Sequence, residues 1–392
     1  MPRRVPDIPL PALKEPTLET WTLKLKTITP MFGGSAIPRG VDAQNPIRAA
    51  SVRGHLRFWW RATAGAGYSD PRELFEAEER IWGSTGTQKQ GLVALSVSNQ
   101  THENTRQPSS LGEKVKPYER FFVYPFLRTK SDAEASGLTG VSFTLSLRLS
   151  EKLESQQKEE VRQAVRAWLA FGGVGARTRR GLGALRVLES NQNNWQPKDL
   201  AELKGWFGDL QASPEYSSLG GAQAVFSEVT KPENAWRKLA SFWTRLRKGH
   251  YTGKYLEYSA MGGAMWEDHA KLKALSTRDK AVSLAKPYMG MPIIYQKFSD
   301  SFAGEIKPAS EKQSRMASPI ILKPVAFVDG VVRAMVLVLS APKPIKVSIK
   351  GQLYDLTWPA NDRVLRALGT QGFVETILSA AKKEGFTEEV QL

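Results

Sequence analysis

Residues 155–190 read SQQKEEVRQAVRAWLAFGGVGARTRRGLGALRVLES. The first seventeen place apolar side chains at 161, 164, 165 and 168, one face of an α-helix, and the end of the stretch, GALRVLES (183–190), reads as a short strand. Between them FGGVGARTRRGLG (171–183) holds five glycines and three arginines with no acidic residue. Helix, glycine-rich loop, strand is the reverse of the dinucleotide-binding order, and the loop lacks the GK[ST] ending of a Walker loop. Glycine tolerates positive φ and close approach of another backbone, so such a loop can wrap a chain and aim N–H groups at phosphates. The alternative is a plain helix-to-strand connector.

Working outward, VSFTLSLRLS (141–150) and WTLKLKTIT (21–29) alternate apolar and polar positions, as half-buried strands do. GLVALSVS (91–98) and RFFVYPFL (120–127) read as further strands. SVRGHLRFWWRATAG predicts a helix from about Ser51, and Asp70 followed by Pro71 caps a second that runs through ELFEAEERIW to Gly83. The order strand, helix, strand, strand, helix, strand is that of a ferredoxin-like unit. A weaker version follows NQNNWQPKD (191–199). It has strands at 222–230, 292–298, 318–328 and 332–340, helices at 233–249 and 361–384, and a segment of mixed character at 250–289 read as a helical insertion. LASFWTRL in its first helix echoes HLRFWWRA, a hint of internal duplication. The expected fold class is α+β, two tandem ferredoxin-like (RRM-like, βαββαβ) domains. The expected organisation is an extended arm at 1–18, an N-terminal domain at 19–190, a linker at 191–220, and a C-terminal domain with insertions at 221–392.

The 392 residues contain no cysteine, which excludes disulfides and thiolate chemistry. Histidines 55, 102, 250 and 269 lack zinc-site spacing, so no metal and no cofactor is expected. No apolar run reaches the roughly 20 residues of a membrane span, and the N-terminus lacks a signal-peptide core, so a cytoplasmic location away from membranes is expected. The net charge of +16 suits a polyanionic partner. The windows 43–69 and 161–188 hold four and six arginines and neither has an acid or a lysine; arginine grips phosphate oxygens in pairs. On a helical wheel Arg53, Arg57 and Arg61 share one face. They are read as lining a channel for a phosphate backbone, or as paired with acids of the ELFEAEER helix.

GVGARTRRGLG resembles the glycine-rich loop of the RAMP superfamily of CRISPR-associated proteins. More narrowly FGG (32–34), IRAASVRGHLRFWWRA (47–62) and ELFEAEERIWGS (73–84) are similar to the first subunits of Cmr, the type III-B CRISPR complex. GMPIIY (290–295) and RMASPIIL (315–322) add weaker likeness. The resemblance implies RAMP-type domains in a non-catalytic subunit that grips the 3′ part of a CRISPR guide RNA, or the paired target RNA, beside other Cmr subunits. Carried over, with the loop read residue by residue, the RNA-binding candidates are Gly33, Gly34, Arg48, Arg53, Arg57 and Arg61, then Gly173, Gly175, Arg177, Thr178, Arg179, Arg180, Gly181 and Gly183. RAMP relatives include ribonucleases, which makes His55 and Asp42 the candidates if this chain cleaves RNA. His55 lies about 160° from Arg57 on the wheel, and Asp42 stands in the RGVDAQN loop. A third possibility is protein docking with incidental RNA contact.

Overall fold

A computed structural model describes residues 18–108, 117–248, 250–252, 255–257, 266–295, 302–310 and 312–392. All but the last residue of the expected arm lies outside them. The N-terminal unit runs β1 (Glu19–Thr27), α1 (Ala49–Ala62), α2 (Pro71–Trp82), β2 (Val93–Thr101), α3 (Pro117–Val123), β3 (Ser142–Leu149), α4 (Ser155–Phe171) and β4 (Leu185–Ser190). Its sheet has the order β2-β3-β1-β4 with every pair antiparallel, the ferredoxin-like arrangement. Alternation in sequence becomes alternation in burial. Leu25 lies opposite Phe143, Leu23 opposite Leu145 and Trp21 opposite Leu147, all buried beneath α1 and α4. Asp70 caps α2 by accepting the Arg72 N–H at 2.8 Å, and α2 ends at Gly83, whose φ is +72°.

The strand expected at 120–127 is instead helix α3 with a 3₁₀ turn at Tyr124–Phe126. Its unbroken apolar run cannot distinguish a buried strand from a buried helix. Tertiary contacts decide: Phe122 meets Trp236 at 5.7 Å between ring centroids, and buried Glu119 pairs with Arg237 at 3.1 Å.

Residues 191–220 carry helix α5 (Leu200–Phe207), whose Phe207 packs on Phe171 at 5.2 Å. The second unit follows as β5 (Ser218–Thr230), α6 (Pro232–Lys248), β6 (Ile320–Ala326), β7 (Val332–Ser340), α7 (Phe373–Lys383) and β8 (Phe386–Gln391), with sheet order β6-β7-β5-β8, again antiparallel throughout. The segment at 250–289, read as a helical insertion of mixed character, carries strands as well as helix. Among its described residues are the helix Asp268–Ala274 and the strands His250–Thr252, Tyr255–Glu257 and Ala281–Ser283. Ala281–Ser283 pairs with Asp355–Thr357 in a separate five-stranded sheet, a partner that local periodicity does not reveal.

The second sheet is covered on both faces, so every residue of β6 is buried. Ile321, Val325, Met335 and Leu337 join the core beneath α1 and α4, while Ile320, Leu322, Val336 and Val338 join that of α6 and α7. Each aliphatic side chain so buried contributes about 1.5–3 kcal/mol. The sequence echo marks equivalent places: Phe58-Trp59 and Phe242-Trp243 occupy the first helix of each unit, and Arg61 and Arg245 each pair with a glutamate, Glu78 and Glu384. No helix among the described residues is long and apolar enough to cross a membrane.

Candidate nucleic-acid interface

The loop between α4 and β4 folds on itself and on the segment after β1. The Val174 N–H donates to the Gly183 carbonyl at 3.0 Å, the Ala176 N–H to Phe32 at 2.7 Å and the Gly183 N–H to Pro30 at 2.9 Å. These contacts dictate glycine. Gly183 has φ +62°, and a Cβ there would lie 1.9 Å from the Val174 carbonyl oxygen; at Gly175, with φ +80°, it would lie 2.5 Å from that of Phe32. Gly173 backs onto Gly183, Gly181 onto Pro324 of β6, and Gly33 faces Ala176. Among the described residues the N–H groups of Gly175, Arg177, Thr178 and Arg179 donate to no protein acceptor. Arg177 itself has φ +59°, a conformation that turns successive N–H groups into an anion-binding concavity.

Facing the loop, α1 closes a cavity of about 340 Å³ lined by Gly33, Gly34, Arg48, Ser51, His55 and Gly175 among others. Arg48 is exposed and donates to the Gly34 carbonyl at 2.5 Å. A smaller cavity of about 150 Å³ adjoins it at His55, walled by Phe58, Trp59, Thr178, Arg179 and, from the second unit, Ile321. No acidic side chain lines either. A third cavity, between α1, α4 and the segment after α5, is lined by Glu159, Glu160 and Asp209, so freedom from acids is particular to the glycine-rich side.

The shared arginine face of α1 does not reach this cavity. Arg57 and Arg61 both close on buried Glu78 of α2, at 2.6 Å each. Of the two readings, pairing with an acid of the adjacent helix is what the geometry shows for these two: the single Glu78 carboxylate bridges both guanidiniums and offsets part of the like-charge repulsion across a turn. Arg53, half-buried, lies beside the turn at Gly83. His55, on the opposite side of α1, faces the glycine-rich loop, and burial pulls its pKa down, so the ring is neutral near pH 7. Asp42 holds a turn, accepting the Gln44 and Asn45 N–H groups at 3.0 and 2.8 Å. Trp59 and Trp60 are both core residues.

The loop arginines divide. Burial lowers the Arg177 pKa to about 10, and its Nε has no partner among the described residues. Arg179 donates to the Ser318 carbonyl, and Arg180 to that of Ile320 at 3.0 Å. The Leu322 N–H donates to the Arg179 carbonyl at 3.1 Å and Trp236 Nε1 to that of Arg180 at 3.1 Å. These two arginines therefore bind the second unit to the loop, a role with no local signal in the sequence. Nor is there one for Lys323, wholly buried in β6, whose Nζ donates to the Leu169 carbonyl at the end of α4 at 2.5 Å. Its pKa is pushed down to about 7 by burial. Among the described residues no group of three histidine or carboxylate side chains could hold a metal ion.

The chain matches the RAMP superfamily model over residues 24–186. It is 32% identical over 177 residues to the CRISPR system Cmr subunit Cmr1-2 of Pyrococcus furiosus, covering 42% of this chain and 92% of that protein. Against Cmr1-1 of the same organism it is 25% identical over 155 residues, 37% of this chain and 41% of the relative. The fold resembles the crystal structure of apo Cmr1 from P. furiosus with a TM-score of 0.53 at 14% identity, covering 95% of this chain and 98% of that one. It also resembles a chain of the type III-B Cmr-beta complex bound to cognate target RNA and AMPPnP, with a TM-score of 0.51 at 11% identity, covering 94% and 99%. With a βαββαβ unit and a glycine-rich loop inside the matched span, and with the identity to Cmr1-2 over nearly all of that relative, the chain belongs to the RAMP superfamily and, within it, to the family of Cmr1 subunits of CRISPR Cmr systems.

Proposed function

We propose that this protein is a non-catalytic, RNA-binding subunit of a type III-B CRISPR effector. It grips the backbone of the guide RNA toward its 3′ part, or of the target RNA paired with it, beside other Cmr subunits. The observation that carries this reading is the acid-free pair of cavities between α1 and the glycine-rich loop, the larger lined by exposed Arg48 and by Gly175 with its unbonded amide, the smaller by Thr178 and Arg179 with theirs. Amides and arginines hold phosphate without reading bases, which suits a complex whose sequence information lies in guide–target pairing. In such a complex the subunit contributes shape and charge.

Ribonuclease activity is the second reading, and the position of His55 in the cavity speaks for it. A neutral imidazole could accept a proton from an attacking 2′-hydroxyl. Metal-free cleavage also needs a proton donor for the leaving oxygen, and no second titratable acid–base group except arginine lines either cavity. Incubating labelled single-stranded RNA with the protein and running it on a denaturing gel separates the two. RNA retained intact supports the binding role; discrete products lost on His55→Ala would make the protein a nuclease.

A further inference from the structure

Five cations converge where the glycine-rich loop meets the second unit. Arg180 lies 4.1 Å from the centre of the Trp243 indole and Arg247 lies 5.4 Å from the same ring. Lys248 follows at the end of α6, its Nζ 4.5 Å from the Phe121 ring, and Lys286 stands 5.7 Å from the ring of Tyr295. Their charges act on one another: Arg177 and Arg247 depress Arg180, and Arg247 and Lys248 depress Lys286, all in addition to burial.

Two acids are near and offset part of this repulsion, Asp268 favouring the charged forms of Lys286 and Arg247 and Asp362 that of Lys286, but neither forms an ion pair with them. Asp268 accepts the Ala285 and Lys286 N–H groups at 3.0 and 2.8 Å. Asp362 accepts those of Glu267 and Val364 and lies 3.8 Å from Lys271. Among the described residues none of Arg177, Arg180, Arg247, Lys248 and Lys286 forms an ion pair, and the buried Arg177 Nε and Tyr295 hydroxyl lack partners. Other half-buried arginines of the fold, Arg57, Arg237 and Arg245, do pair with acids. The C-terminal dipole of α6 accounts for cations on that helix. It does not account for Arg180, from the loop, or Lys286, from the turn after Ala281–Ser283.

We propose that the RNA path continues from the cavity onto the second unit, where Arg177, Arg247, Lys248 and Lys286 hold a further stretch of phosphate backbone. The proposal rests on the RNA-binding reading of the cavity. It adds that the second unit, which has no glycine-rich loop of its own, contributes through α6 and the Lys286 turn. Unpaired cations interleaved with partly exposed aromatic rings, here Phe121 and Tyr295, are the surface that single-stranded nucleic acid takes. Arg177 follows Gly175 and Ala176 of the cavity wall directly in the chain and acts electrostatically on Arg180, so the loop leads from one place to the other.

The test is filter binding of a labelled single-stranded RNA to the full chain at several salt concentrations. It compares the unaltered protein with Arg48→Ala and with the double variant Arg247→Gln/Lys286→Gln, each also melted without RNA. The double variant is expected to weaken binding about tenfold at low salt and to reduce the salt slope by about 1.4, two single-strand phosphate contacts. Its melting temperature should be equal or higher, because repulsion is relieved. Should the double variant fold poorly, Lys248→Gln, whose side chain is exposed, is expected to reduce the slope by about 0.7. Unchanged affinity and slope in these variants, with Arg48→Ala still weakening binding, would overturn the second-unit site and leave the cavity reading standing. So would a lower melting temperature with unchanged RNA affinity, or retained RNA affinity with loss of binding to a polyglutamate peptide. If neither the unaltered protein nor any variant binds RNA, the cavity reading falls and this one with it.

Discussion

Gly183 is a glycine because of one atom, the carbonyl oxygen of Val174, and only secondarily because of its positive φ. Gly330 separates the two causes: its φ is +72°, yet nothing lies within 4 Å of where its Cβ would be. Gly330→Ala is expected to lose about 1–2 kcal/mol, the ordinary penalty of a left-handed residue. Gly183→Ala adds a backbone clash and should lose at least about 2 kcal/mol more, as read by urea unfolding. Arg48 makes the opposite kind of contribution. Its head is exposed and its partner is a carbonyl that water can also satisfy. Arg48→Ala is therefore expected to leave the melting temperature within about 2 °C while lowering the RNA-binding salt slope by about 0.7. Nothing in the sequence separates these kinds of residue. A glycine required by a neighbouring carbonyl and a glycine required by φ read alike, and so do Arg48, held only by a carbonyl, and the ion-paired Arg57.

At the scale of elements, α1 presents two working faces. Arg57 and Arg61 hold α2 through Glu78, so Arg57→Ala and Arg61→Ala should lower the melting temperature without altering the salt slope, the reverse of Arg48→Ala. The helical wheel correctly placed three arginines on one side and His55 on the other. It carried no information on which side meets the loop, because that depends on the sheet order. Strands with strict alternation, such as 141–150, were legible for the same reason that 120–127 was not: a continuous apolar run takes its form from what packs on it. The contact between β6 and α4 adds a pH dependence. Lys323 titrates near 7 in the fold, against about 10.4 in an unfolded chain. Between those values the unfolded chain holds the extra proton, so stability rises with pH across that window, by up to about 1.4 kcal/mol per unit, and the full burial penalty applies below it. Lys323→Met should flatten this rise, measured by unfolding at pH 7, 8.5 and 10.

The two units together alternate sheet and helix in four layers, with the second sheet shared between the helices of both. This makes the glycine-rich loop a joint as well as a surface. Arg179 and Arg180 fasten it to β6, while Arg177 and the open amides are left for a ligand. Replacing all three arginines together would therefore loosen the union of the units as well as any RNA contact. Arg48 is the cleaner probe. The duplication was legible in the echo of FW between α1 and α6, and the family in the loop and in α1; the union of the units was not, since its contacts join residues from 56 to 154 positions apart. The central claim, a backbone grip without cleavage, meets its most direct test in the binding of labelled single-stranded RNA over a salt series, with the bound RNA then resolved on a denaturing gel. The account predicts intact RNA, affinity that falls steeply and linearly in log–log form with salt, and a shallower slope for Arg48→Ala. Affinity indifferent to salt, or RNA recovered as discrete fragments, would contradict it.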